Sequence, residues 1–188
     1  MPTPPKIILD LCGGTGAWST PYREAGYDVR LITLPEHDVR TYRPPIKVHG
    51  CLAAPPCDHF ARVGARWWKQ KGERPLRDAL ILVGHCLRII RESNPEWWAL
   101  ENPIGRLKDF IGEPVFKFDP WWYGDPWTKR TWVWGRFNPP SKLASAVRPI
   151  LIGTPRRRDR TSRLGGGQKV TRSITPSGFA HAFFEANP

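Results

Sequence analysis

The sequence predicts a single α/β domain, residues 1–188, built on a mostly parallel, doubly wound sheet. Three observations point there. The chain opens with an apolar run, a glycine-rich turn, a helix pattern and a second β-branched run, the start of a unit with parallel strands. Its clearest helix pattern, residues 74–95, carries an apolar face of helical spacing. The polar and reactive residue types recur where apolar runs stop, which is where open α/β sheets place their ligands.

The elements follow in order. KIILDLC, residues 6–12, is a short apolar strand running into GGTGAW. STPYREAG reads as a helix ending at Gly26, and YDVRLITL, residues 27–34, as a β-branched second strand. VHGCLAAPPC is a strand that runs into a loop. RPLRDALILVGHCLRIIRESNP has Pro75 near its start, Asn94-Pro95 at its end, and Leu76, Leu80, Val83, Leu87 and Ile90 on one face. EWWALENP is a short strand closing on Glu101 and Asn102. Residues 115–137 read as two strands around a loop. Pro176 starts a short terminal helix with Phe179, Ala182 and Phe183 facing inward. That apolar end makes the Arg- and Gly-rich stretch before it, within residues 141–172, a basic loop leaving and rejoining the domain.

Charge narrows the partner. The chain has 29 Lys and Arg against 17 Asp and Glu, a net +12, which favours a polyanion, most simply nucleic acid. No run approaches the length of a membrane span, and the N-terminus lacks the charged leader and apolar core of a signal peptide. The four cysteines, Cys12, Cys51, Cys57 and Cys86, form no CxxC pair, so reduced thiols and a cytoplasmic location are expected, with no metal site. Ten tryptophans, several in adjacent pairs, supply core bulk, and an aromatic-rich basic protein can also stack bases.

Three constellations carry chemistry. In DLCGGTGAW the glycines let the backbone turn tightly and approach a ligand, but the stretch is neither G-x-G-x-x-G nor a phosphate loop. Asp10 before them suits a ligand with a positive amino group, as in the methionine part of S-adenosylmethionine. At the end of the second strand, Glu36 or Asp38 could hold ribose hydroxyls or an adenine amino group, and spacing does not choose between them. In APPCDHFAR, Cys57 reads as a nucleophile, a metal ligand or a turn filler. A reactive cysteine needs positive surroundings, for which Arg62, Arg66 and a helix N-terminus near residue 59 are the candidates. As a metal ligand it lacks a second ligand pair. In ALENP, Glu101 beside a nucleophilic cysteine suits attack on C6 of cytosine: the acid holds N3 and the exocyclic amine while C5 becomes able to accept a methyl group. Asn102 is a candidate for ordering the cysteine loop or the Glu101 backbone.

In this order the three pieces resemble the cytosine-C5 DNA methyltransferases, in a small form of phage or bacterial type. DLCGGTGAW is similar to the cofactor loop DLFxGxGG, with Asp10, Gly14 and Gly16 on matching positions. APPCDHFAR resembles the PCQxFS loop, with Cys57 on the nucleophile, Phe60 matching and Asp58 in place of Gln. ALENP resembles ENV, with Pro103 for valine. GDPWTKRTWVWG resembles the PQxRxR segment: Lys129 replaces the first Arg, Thr131 falls on the second, and Arg130 is one step off. The end of the chain, SITPSGFAHAFFEAN, resembles the cofactor-side helix in position. The resemblance implies S-adenosylmethionine held by Asp10, Cys12, Gly14, Gly16, Ala17, Trp18, Glu36, Asp38 and Pro55. It implies catalysis by Cys57, Glu101, Asn102, Lys129 and Arg130, and a flipped-out or single-stranded cytosine. The family's target-recognition domain is replaced here by the basic loop. Arg62, Arg156, Arg157, Arg158, Arg160 and Arg163 are therefore expected on DNA phosphates. A monomer, with target reading supplied by the loop or by an accessory protein, completes the expectation. Two rivals stand beside it. An amino-group methyltransferase would use a D/N-PP-aromatic loop, whose first and last positions are here Ala54 and Cys57. A catalytically silent nucleic-acid-binding relative would keep the fold and the basic loop.

Overall fold

The computed structural model describes residues 4–146, 148 and 173–188. Six strands form one sheet: β1 (Ile7–Leu11), β2 (Asp28–Ile32), β3 (Gly50–Ala53), β4 (Trp97–Pro103), β5 (Phe116–Phe118) and β6 (Thr131–Arg136). The order across the sheet is β2-β1-β3-β4-β6-β5. The ladders β1–β2, β1–β3 and β3–β4 are parallel, while β6 runs antiparallel to both β4 and β5. The sheet is therefore parallel in its first four strands and mixed at one edge. The connection from β5 to β6, residues 119–130, holds only a one-turn 3-10 helix at Pro120–Tyr123 and returns the chain beside β5 in the opposite direction.

Helices cover both faces. These are α1 (Thr20–Glu24), α2 (Trp68–Lys71), α3 (Glu73–Ser93), α4 (Lys108–Ile111) and α5 (Ser177–Ala186). Alternation along each strand sorts the core into two layers. Leu9, Leu11, Cys51, Ala53 and Leu100 meet α3 on one face. Ile8, Leu52, Ala99 and Val133 pack with Trp18, Tyr22, Phe179 and Phe183 on the other. α3 buries Ala79, Val83, Cys86, Ile89 and Ile90 most deeply, whereas Leu76, Leu80 and Leu87 only flank that core. The smaller Ala79 and Cys86 thus lie among its deepest side chains, and the larger leucines pack to the sides. α3 stops at Asn94, which takes the left-handed conformation (φ 45°) before Pro95.

α5 is anchored by aromatic packing. Phe179 stacks on Phe118 with ring centroids 3.7 Å apart and planes 7° off parallel. Both Phe179 and Phe183 are fully buried, and each such ring contributes on the order of 2 kcal/mol of burial. Beyond the helix, the Asn187 side chain exchanges hydrogen bonds with the Asn138 backbone, at 2.7 and 2.9 Å. The chain on both sides of residues 149–172 therefore packs on the same domain. Those residues lie outside the described part, and with them Arg156, Arg157, Arg158, Arg160 and Arg163. Among the described residues no helix is long and apolar enough to cross a membrane.

Candidate active site at the carboxyl ends of the parallel strands

Register brings the three constellations to one sheet edge. Leu11 of β1 pairs with Ala53 of β3, and Ala53 with Leu100 of β4. The glycine-rich turn, the Cys57 loop and Glu101-Asn102 therefore leave adjacent strands side by side. β1 connects outward to β2 and the chain then returns to β3 on the other side of β1. That reversal opens the crevice where such folds bind ligands.

The glycine-rich turn is strongly left-handed, with φ of 56° at Cys12, 58° at Gly14 and 72° at Gly16. Asp10 lies fully buried beneath it. Its Oδ2 accepts a 2.6 Å hydrogen bond from Ser19 Oγ, while Oδ1 is buried with no hydrogen-bond partner. Burial raises its pKa to about 6, against the lowering effects of Ser19 and Arg23. Gly13 has no room for a side chain, because a Cβ there would stand 2.2 Å from Asp10 Oδ1. Asp10 thus lies directly under the turn, with one carboxylate oxygen engaged by Ser19 and the other left unpartnered beside Gly13. Cys12 turns its sulfur inward, 3.9 Å from Cys86 Sγ on α3, and Trp18 is buried between Phe179 and Phe183. The Trp18 side chain belongs to the core, and the partly buried Cys12 packs against core residues, so both shape the turn from below. Ala17 is half-buried beside them.

After β2, the two acids differ. Asp38 is engaged by Arg40, whose Nε donates at 2.8 Å and whose backbone N–H donates at 2.9 Å; this hydrogen bonding lowers its pKa. Glu36 is exposed and makes no hydrogen bond or ion pair among the described residues.

The cysteine loop is held from β4 and the turn after it. Asn102 is fully buried, and its Nδ2 donates to the Pro55 carbonyl at 3.0 Å. Beyond β4, Arg106 Nε donates to His59 O at 2.8 Å, and the Arg106 N–H donates to Phe60 O at 3.0 Å. Arg62 N–H donates to Ile104 O at 2.8 Å. Gly105 permits this approach, since a Cβ there would fall 1.9 Å from Phe60 O. The predicted helix N-terminus near residue 59 is instead a turn closed by the Phe60 and Ala61 N–H groups on Cys57 O, each at 2.9 Å. The helical segment that follows is a 3-10 helix and starts only at Arg62. The two prolines and the clamp from Gly105 keep the chain too constrained to wind earlier.

Cys57 is half-buried, and its pKa is raised first by burial, then by the Glu101 charge; Lys129 lowers it and Asp58 raises it again. Glu101 is 7% exposed, with Oε2 lacking a hydrogen-bond partner. Burial raises its pKa too, opposed by Lys129. One cation, Lys129, therefore acts through its charge on both the thiol and the acid. Arg62 is exposed, and Arg66 lies over the Trp67 ring, so the expectation that these arginines supply the positive surroundings is corrected. Lys129 reaches the site because it comes from the strand entering β6, next to β4, where Asp119 Oδ1 accepts its backbone N–H at 2.7 Å. Arg130, the next residue, is exposed, and its charge acts on Asp119. Ser19, Gly105, Arg106 and Asp119 were not among the predicted site residues. Ser19, three residues beyond Gly16 at a helix start, had a capping signal to show it. Asp119, ten residues from Lys129, had none.

No protein-family model matches the chain, and no curated protein matches it. Among solved structures it is similar to a prophage-encoded E. coli protein assigned as a DNA modification methyltransferase, with TM-score 0.50 and 17% identity over 69% of this chain. The likeness is one of fold, an α/β arrangement with helices on both faces of the sheet. The match spans 46% of the length of the E. coli protein.

Proposed function

We propose that the protein transfers a methyl group from S-adenosylmethionine to C5 of cytosine in DNA, through a covalent bond between Cys57 Sγ and C6 of an unpaired or turned-out base. The observation that carries this reading is the cluster of a thiol, a buried carboxyl and one cation at adjacent strand ends.

The crevice suits the cofactor. The left-handed turn at Cys12–Gly16 and the unpartnered Asp10 Oδ1 fit a zwitterionic amino-acid moiety, and Glu36 is the carboxylate free to take ribose hydroxyls. Bound there, the cofactor supplies an electrophilic methyl group.

The chain's own residues do the rest. Burial raises the Glu101 pKa and so favours the protonated acid, the form that donates to N3 of the base. The Cys57 thiol loses its proton to solvent, with the Lys129 charge favouring the thiolate, and adds to C6 while N3 takes the Glu101 proton. C5 then gains nucleophilic character and takes the methyl group, whose bond to the cofactor's sulfonium sulfur would break to leave a neutral thioether. The C5 proton passes to solvent, the C6–Sγ bond breaks to release the Cys57 thiolate, and N3 returns its proton to Glu101. Asn102 is a positioning residue, holding Pro55 and so the direction of the cysteine loop.

The test is to incubate the protein with labelled S-adenosylmethionine and DNA, duplex and single-stranded, and to locate the methyl group. 5-Methylcytosine that disappears in Cys57→Ala supports the reading. A methylated amino group, or full activity in Cys57→Ala, overturns it.

A further inference from the structure

Of the ten tryptophans, one is exposed, and it lies ten residues beyond Cys57. The Trp67-Trp68 pair is divided by the fold. Trp68 is covered by the Arg106 guanidinium, 4.2 Å from its ring centroid, and that same Arg106 clamps the cysteine loop. Trp67 closes the 3-10 helix Arg62–Trp67 and turns outward, 44% exposed, with Val63 on the same helix 73% exposed. Trp67 and Val63 together leave an apolar patch open to solvent beside the cysteine loop.

The surroundings indicate the partner's chemistry. Arg62, Arg66, Lys69 and Lys71 are exposed, and no acidic residue occurs between Asp58 and Glu73. The Arg66 guanidinium lies 5.0 Å from the Trp67 centroid, and Lys71 Nζ donates to Asp58 O at 2.9 Å. That bond ties the far end of the segment to the residue next to Cys57. A flat ring with Arg66 over one face, its other side toward solvent, and joined to the cysteine loop combines the two features that bind unpaired nucleic acid: an aromatic surface for a base and positive charge for the flanking phosphates.

We infer that Trp67 is a stacking platform for an unpaired base of a nucleic-acid strand, with Arg62, Arg66 and Lys69 on the adjacent phosphates. The inference rests on the proposed function only for the identity of the reacting base. The platform itself requires a strand with at least one unstacked nucleotide, and it places that strand along the cysteine loop.

Binding of the full chain to a fluorescently labelled single-stranded oligodeoxynucleotide, followed by anisotropy over a series of salt concentrations, tests it without cofactor. Trp67→Ala should weaken binding by roughly 5- to 100-fold with the salt slope unchanged, and Trp67→Phe should keep most of the affinity. Neutralising Arg62, Arg66 and Lys69 to Gln together should lower the slope of log affinity against log salt by about 2. On a strand whose nucleotides are all abasic, Trp67→Ala should bind like the unaltered protein. Unchanged binding by Trp67→Ala, or an equal loss on the abasic strand, overturns the inference. Trp67-dependent binding here, together with no 5-methylcytosine in the separate assay with labelled S-adenosylmethionine, would retain the platform and overturn the proposed reaction.

Discussion

The Asn102 side chain holds the Pro55 carbonyl at 3.0 Å, joining the end of β4 to the turn that carries Cys57. Both partners are buried, so neither can exchange this bond for water without cost. Asn102→Ala leaves the Pro55 carbonyl unsatisfied and should lower the unfolding free energy by about 1–3 kcal/mol in urea titrations. Methyl transfer should fall with kcat more than with the KM for DNA, because the loop's direction is lost while its surface remains.

Lys129 is the cation common to the thiol and the acid. Removing it in Lys129→Met withdraws the one charge that favours the thiolate, so the Cys57 pKa moves further up. The pH profile of Cys57 alkylation, read by mass spectrometry of its peptide, should shift to higher pH. Lys129→Arg should restore it. An unshifted profile in Lys129→Met would remove Lys129 from the site's electrostatics.

Asp10 couples stability to pH. Its pKa rises from 3.8 in the open chain to about 6 in the fold, because burial disfavours the charge. A raised acid stabilises the fold fully below pH 3.8 and loses that contribution as pH climbs through 6. At about 1.4 kcal/mol per unit, the loss is on the order of 3 kcal/mol. Asp10→Asn keeps an acceptor for Ser19 and should flatten the decline between pH 4 and 7 in denaturant titrations. Should the cofactor's ammonium group pair with Asp10, saturating cofactor should flatten it as well in the unaltered protein, and only there.

Two glycines give opposite outcomes. A methyl group at Gly13 meets the Asp10 carboxylate at 2.2 Å, so Gly13→Ala must displace the turn, costing stability and abolishing cofactor binding measured by calorimetry. Gly84, within α3, has nothing within 4 Å of an added Cβ. Gly84→Ala should raise the unfolding free energy by about 0.5–1 kcal/mol and leave binding unchanged.

Much of this protein could be read from local pattern. The strands at residues 6–12, 27–34 and 96–103 and the helix after residue 73 were legible because alternation, helical periodicity and Pro and Asn stops act within a few residues. The gathering of Gly14, Cys57 and Glu101 at strand ends was legible for the same reason: each follows its own strand directly. What only the tertiary structure decided depends on contacts far apart in sequence. Spacing left Glu36 and Asp38 equal, and the neighbouring Arg40 side chain separated them. Proximity in sequence favoured Arg62 and Arg66 near Cys57. The insertion of β6 against β4 brought Lys129 there instead, from seventy-two residues away. Likewise two adjacent tryptophans are identical in composition, and the Arg106 guanidinium packed on one of them sends the other to the surface. A charge acts through space and a side chain's exposure depends on what covers it, so neither can be assigned until the strands have found their neighbours.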